Sequence, residues 1–215
     1  MPMRTSPPFV ANSDDDMHCV TAVYRMLYLY FFQEEYSWEQ IEDLARATPG
    51  KGTWTFVADT ALAGRGIRIT NIEPVDYEAL YKQGPKYLRT LYGDKMADYY
   101  LERSNIADVI QYIPDFLGVV RHETRKSKTA EVLKYVRSGK LVGVEVNSSI
   151  LNRQKGFNLH FVLVYNCTKT HVIFHDPGLP AMPHRKITIK KFKECFEHAG
   201  GSCSAHVYEK SENKK

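Results

Sequence analysis

Apolar residues run almost unbroken from Val20 to Phe32, with Arg25 as the charged interruption. A dense polar run, Ser13 to Asp16, stands just before them. Ser and Asp side chains accept hydrogen bonds from the unpaired N–H groups of a helix start, so this pattern predicts a helix from about Met17 to Phe32. Apolar nearly all round, it is expected at the centre of the fold. Ser37 and Gln40 fit a capping box, which starts a second helix that Pro49-Gly50 ends. Thr53 is expected to cap a third, stopped by the glycines at 64 and 66, and Ile67–Ile72 reads as a short strand.

Residues 77–117 read as helical, broken at Gly84-Pro85, and carry most of the tyrosines. Their aromatic spacing predicts core packing, and the stretch 77–127 is expected to be a helical insertion. From Thr129 the pattern changes. Thr129–Ser138 is an amphipathic helix, followed by β-rich runs at Leu141–Val146, Asn158–Asn166, His171–His175, Arg185–Ile189 and Ala205–Tyr208, with a helix at Ile189–His198. Helices first and strands afterwards predict an α+β domain, with N-terminal helices packed on a C-terminal antiparallel sheet.

Composition narrows the function. Hydrophobic residues make up 43% of 215, enough for the core of one domain. The net charge of +4 is small, and the basic residues are scattered rather than gathered into a patch. Without a zinc-finger or RNA-binding motif, no nucleic-acid partner is expected. No apolar stretch approaches the 18 residues of a membrane span, so no membrane partner is expected either. The first residues lack a secretory pattern. The expected location is cytoplasmic, with non-classical export left open. The four cysteines, Cys19, Cys167, Cys195 and Cys203, form no CxxC pair and no disulfide framework. His171 and His175 share a strand face, yet no metal and no cofactor is expected.

The order of three residues carries the chemistry. A thiol is nucleophilic as thiolate, and both a helix N-terminus and a nearby histidine favour that form. Cys19 stands near the predicted start of the central helix, where unpaired N–H groups also suit an oxyanion. His160 interrupts the apolar run Leu159 to Val164, and a polar ring there needs a partner. Asp176 ends the next predicted strand. A short turn at Cys167–Thr170 would bring it beside His160, where a carboxylate can hold the second imidazole nitrogen.

HCVTAVYRMLYLYF, TAEVLKYVRSGKLVGVEV, NLHFVLVYN and VIFHDPG, in this order, resemble the papain-like cysteine peptidases of the bacteriocin-processing, double-glycine-leader group and their stand-alone relatives. The resemblance covers roughly residues 13–76 and 128–208. It implies a papain-like fold, a peptide or protein substrate, and a triad of Cys19 as nucleophile, His160 as base and Asp176 as orienting group. Two departures stand out. The family has Asp-Cys-Gly where this chain has His18-Cys19-Val20, and a Gln oxyanion donor six residues before the Cys, where this chain has Ser13, with Asn12 one further back. Ser13 and Asn12 are therefore the oxyanion candidates. The leading expectation is a thiol hydrolase cleaving peptide or isopeptide bonds through an acyl-enzyme. A transglutaminase-like acyltransferase and an inactive papain-like binding module remain as alternatives.

Overall fold

The computed structural model describes residues 6–14 and 16–211. The first helix, α1 (Cys19–Phe32), buries Val20 to Tyr24, Met26 to Tyr28 and Phe31, as an all-round apolar segment must. It starts two residues later than the polar run predicts. Its N-cap is His18, with no side-chain cap, and Asp16 takes a left-handed φ of 58° instead. The expectation that Ser13 to Asp16 caps the helix is thus corrected for the described residues; Asp15 lies outside them. The helix ends at Gln33, also left-handed, whose N–H bonds the Leu29 carbonyl.

The capping box of Ser37 and Gln40 is present at the head of α2 (Trp38–Ala45). The next helix, α3 (Phe56–Gly64), follows Thr55 rather than Thr53, a shift of two residues. Strand β1 (Ile67–Glu73) leads to five short helices: α4 (Tyr77–Gln83), α5 (Tyr87–Tyr92), α6 (Asp94–Arg103), α7 (Ile106–Val109) and α8 (Ile113–Val119). Gly84 and Gly93, at φ 71° and 75°, end α4 and α5 with a backbone that favours glycine. An unforeseen strand, β2 (Arg121–Thr124), closes this stretch. Then come α9 (Thr129–Arg137), β3 (Leu141–Asn147), α10 (Ser148–Leu151), β4 (Leu159–Cys167), β5 (His171–Asp176), β6 (Met182–Thr188), α11 (Ile189–Glu197) and β7 (Ala205–Lys210).

The strands form one sheet in the order β2-β1-β7-β3-β4-β5-β6. All pairs are antiparallel except β1 with β2. The sheet is therefore wider than the expected C-terminal one, since β1 and β2 extend it past β7. Alternate side chains of β4 feed two separate cores. Phe161, Leu163 and Tyr165 pack with α1 and the helices around it, while Val162 and Val164 pack with Val132, Phe192 and Phe196 of α9 and α11. This period of two sandwiches the sheet between helical layers. The tyrosine-rich stretch supplies core as expected in part: Tyr77 and Phe116 are buried, with ring centroids 4.8 Å apart. Among the described residues no helix is long and apolar enough to cross a membrane.

Candidate active site

Cys19 is the first residue of α1. Its N–H and those of the next residues precede the first helical bond, which runs from Ala22 N–H to the His18 carbonyl. They present the positive end of the helix dipole beside the thiol. Asn12 shapes the approach to this helix. Its carboxamide oxygen accepts from Ser13 N–H at 2.9 Å and His18 N–H at 2.8 Å, and its Nδ2 donates to Asp16 at 2.9 Å. Its own N–H bonds the Pro177 carbonyl at 2.8 Å. The Ser13 hydroxyl pairs with His18 Nδ1, and His18 Nε2 lies 2.7 Å from Glu42.

His160 is one residue inside β4, and Asp176 ends β5. The two strands pair with Leu163 opposite His175. Continuing that register sets Asp176 opposite Val162, diagonal to His160 on one face, within reach of an imidazole. Thr168, whose hydroxyl accepts from Thr170 N–H and His171 N–H, forms the tight turn between them. His160 Nε2 meets Asp176 Oδ1 at 2.6 Å, with both side chains buried. Nε2 is occupied, so Nδ1 is the imidazole nitrogen left for the Cys19 thiol, which lines the same cavity. Burial pulls the imidazole pKa down, but the Asp176 carboxylate and the neighbouring Cys19 outweigh it and raise the pKa to about 10. Burial likewise opposes ionisation of Asp176, yet His160, Arg185 and the Gly178 N–H hold its carboxyl below the usual range.

The Asp-Pro-Gly turn has a physical reason for each residue. Asp176 supplies the carboxylate. Pro177 offers its carbonyl to Asn12. Gly178 donates its N–H to Asp176 Oδ1 at 3.1 Å, and a Cβ there would stand 3.1 Å from the His160 ring.

Sequence reasoning missed Arg185. Its Nη1 lies 2.6 Å from Asp176 Oδ2, and its Nη2 donates to Asn152 Oδ1 at 2.8 Å and to the Leu151 carbonyl. The available signal was an arginine in a strand returning directly from the turn that carries the acid.

Cys19 and His160 open onto one cavity of about 320 Å³. Tyr92, Tyr99, Tyr100 and Trp54 also line it, so these aromatics are wall as well as packing. Trp38 is half-buried, with the Arg25 guanidinium 4.6 Å over its ring. All four cysteines are free thiols, and burial raises the pKa of Cys167, Cys195 and Cys203. His175 is buried against the Pro7 carbonyl at 2.8 Å, His184 meets the Tyr165 hydroxyl at 2.7 Å, and His171 pairs with the Thr170 hydroxyl. Among the described residues no group of three His, Cys, Asp or Glu is placed to hold a metal ion.

No protein-family model matches the chain, and none of the curated proteins does. Solved structures do. The peptidase domain of Streptococcus ComA, a bi-functional ABC transporter involved in a quorum sensing pathway, aligns with a TM-score of 0.51 over 96% of this chain and all of that one, at 14% identity. A double glycine motif protease from an AMS/PCAT transporter, in complex with its leader peptide, aligns with a TM-score of 0.51 over 98% of this chain and 96% of that one, at 11% identity. The chain thus has the papain-like α+β fold of these peptidase domains. At such identity the likeness is one of fold, and function must be argued from the site.

Proposed function

We propose that this chain is a cysteine peptidase in which Cys19 is the nucleophile, His160 the general base and Asp176 the orienting group. The observation that carries the reading is the chain of contacts at the cavity. A thiol at the first residue of α1 lines one cavity with an imidazole, and Nε2 of that imidazole is held by a buried carboxylate at 2.6 Å. The leader-peptide complex of a fold neighbour adds support for a peptide substrate.

In this reaction His160 takes the thiol proton, and the Cys19 thiolate attacks the peptide carbonyl carbon. The carbonyl π electrons move to oxygen. The backbone N–H of Cys19 and the second Nδ2 hydrogen of Asn12 meet the oxyanion. Asn12 suits this role better than Ser13, whose hydroxyl is engaged with His18. The C–N bond breaks as the imidazolium protonates the leaving amine, giving a thioester. Water, deprotonated by His160, then releases the acid and restores the thiol. No cofactor enters.

The test is iodoacetamide alkylation followed site by site with mass spectrometry across pH, on the native chain and on His160→Ala. Cys19 should label fast well below pH 8, and the variant should lose that advantage. Labelling no faster than at Cys167, Cys195 or Cys203 would sink the proposal.

A further inference from the structure

The cavity beside Cys19 continues past the thiol. Exposed residues, Asp16, Arg103 and Asn158, form its rim. Its inner wall carries two carboxylates that the thiol chemistry leaves unused: Glu73, the last residue of β1, and Glu145, on β3 in the middle of the sheet. Carboxylates in such places are costly unless something pairs with them. Glu73 is 6% exposed. Its two donors, Asn71 Nδ2 at 2.8 Å and Tyr77 Oη at 2.6 Å, both reach Oε1, and Oε2 has no donor among the described residues. Glu145 accepts from the Ser204 hydroxyl at 3.1 Å, and burial, with the Glu73 charge adding to it, raises its carboxyl pKa.

A third group points to a ligand independently. Tyr100 is 5% exposed, lines the same cavity, and its hydroxyl has no hydrogen-bond partner. Buried phenols rarely stay unpartnered. His206, held by Asp59 at 2.9 Å, acts on both carboxylates yet leaves the Glu145 pKa raised, and Arg103 sits on the exposed rim.

Building on the peptidase reading, we infer that this inner pocket receives a cationic side chain of the substrate, a lysine or an arginine. Its charge sits between Glu73 and Glu145, with the Tyr100 hydroxyl accepting one hydrogen bond. Its aliphatic stem lies along Tyr92 and Tyr99, as long basic side chains do on aromatic surfaces. The volume of about 320 Å³ is at the small end for a ligand pocket, enough for one side chain and its charge.

The test titrates the full chain by calorimetry with n-butylammonium and n-butylguanidinium, and with 1-butanol as the neutral control. The cations should bind at least about tenfold more tightly than butanol. Glu145→Gln and Glu73→Gln should weaken the cations by about ten- to a hundredfold and leave butanol unchanged. Cations that bind no better than butanol overturn the inference, and this comparison needs no variant. A second arm compares labelling of Cys19 by lysyl and leucyl chloromethyl ketones. Preference for the lysyl reagent supports both the pocket and the thiol chemistry. Equal rates retain the peptidase and overturn the pocket. Cation binding with no labelling by either reagent supports the pocket and overturns the peptidase.

Discussion

Arg185 grips Asp176 from the side that His160 leaves open: Nη1 of the arginine lies 2.6 Å from Oδ2, while the imidazole occupies Oδ1. The guanidinium both neutralises the carboxylate and fixes its plane, so one oxygen faces His160. Arg185→Ala should cost about 3 kcal/mol of stability, because it leaves a buried charge uncompensated. It should also let the Asp176 carboxyl rise toward its ordinary value. Activity on a peptide substrate would then fail at a higher pH on acidification, which a pH profile of kcat/KM measures.

The imidazole leaves a mark on stability as well. A histidine whose pKa is raised on folding contributes stability that is full below its unfolded value, about 6.5. That contribution is lost as pH rises through the folded value, here about 10. The melting-temperature gap between the native chain and His160→Ala should therefore narrow steadily from pH 6.5 to pH 10. The depressed Asp176 carboxyl acts at the other end: its contribution is present above the usual carboxylate range and lost as pH falls through the lowered value. A gap that widens toward pH 10 would contradict the assignment.

Gly178→Ala tests the turn. The added Cβ would meet the His160 ring at 3.1 Å and Asp176 Oδ1 at 3.2 Å. The imidazole has to give by a few tenths of an ångström, and small misplacements at a reacting centre are expensive. We expect kcat to fall about tenfold or more, with KM nearly unchanged and a melting temperature close to that of the native chain.

Asp59 offers a stability test away from the thiol. It is fully buried, accepting from Tyr24 Oη at 2.5 Å and meeting His206 Nδ1 at 2.9 Å. Asp59→Ala strands both partners in the core and should cost about 3–5 kcal/mol. In a chain of this size that lowers the melting temperature by roughly 10 °C. Urea unfolding at neutral pH measures it directly.

What the sequence made legible follows from how strongly each signal is constrained. The apolar α1, the Ser37–Gln40 capping box, and His160 set in an apolar strand are local patterns with local causes. Strand β2 was hidden because Arg121 to Thr124 is short, polar and held by parallel pairing to a distant strand. The polar run before α1 misled because Asn12, not an aspartate, takes the backbone N–H groups there. Glu73 and Glu145 went unremarked since a single acid in a strand normally marks a solvent face; only the cavity behind the sheet explains them. The partnership of Arg185 with Asp176 depends on a turn whose path no periodicity encodes.

Asn12 joins two parts of the site that belong to opposite ends of the chain. Its N–H holds the Pro177 carbonyl beside Asp176, and its carboxamide holds the His18 N–H at the doorstep of Cys19. The spacing of thiol and imidazole is thereby set twice over, by the packing of α1 on β4 and by the bonds of a single residue. Such a clamp has an evolutionary consequence. The outer helices can drift in sequence, and the wall of the cavity can be reshaped for new substrates, while the reacting pair stays in register.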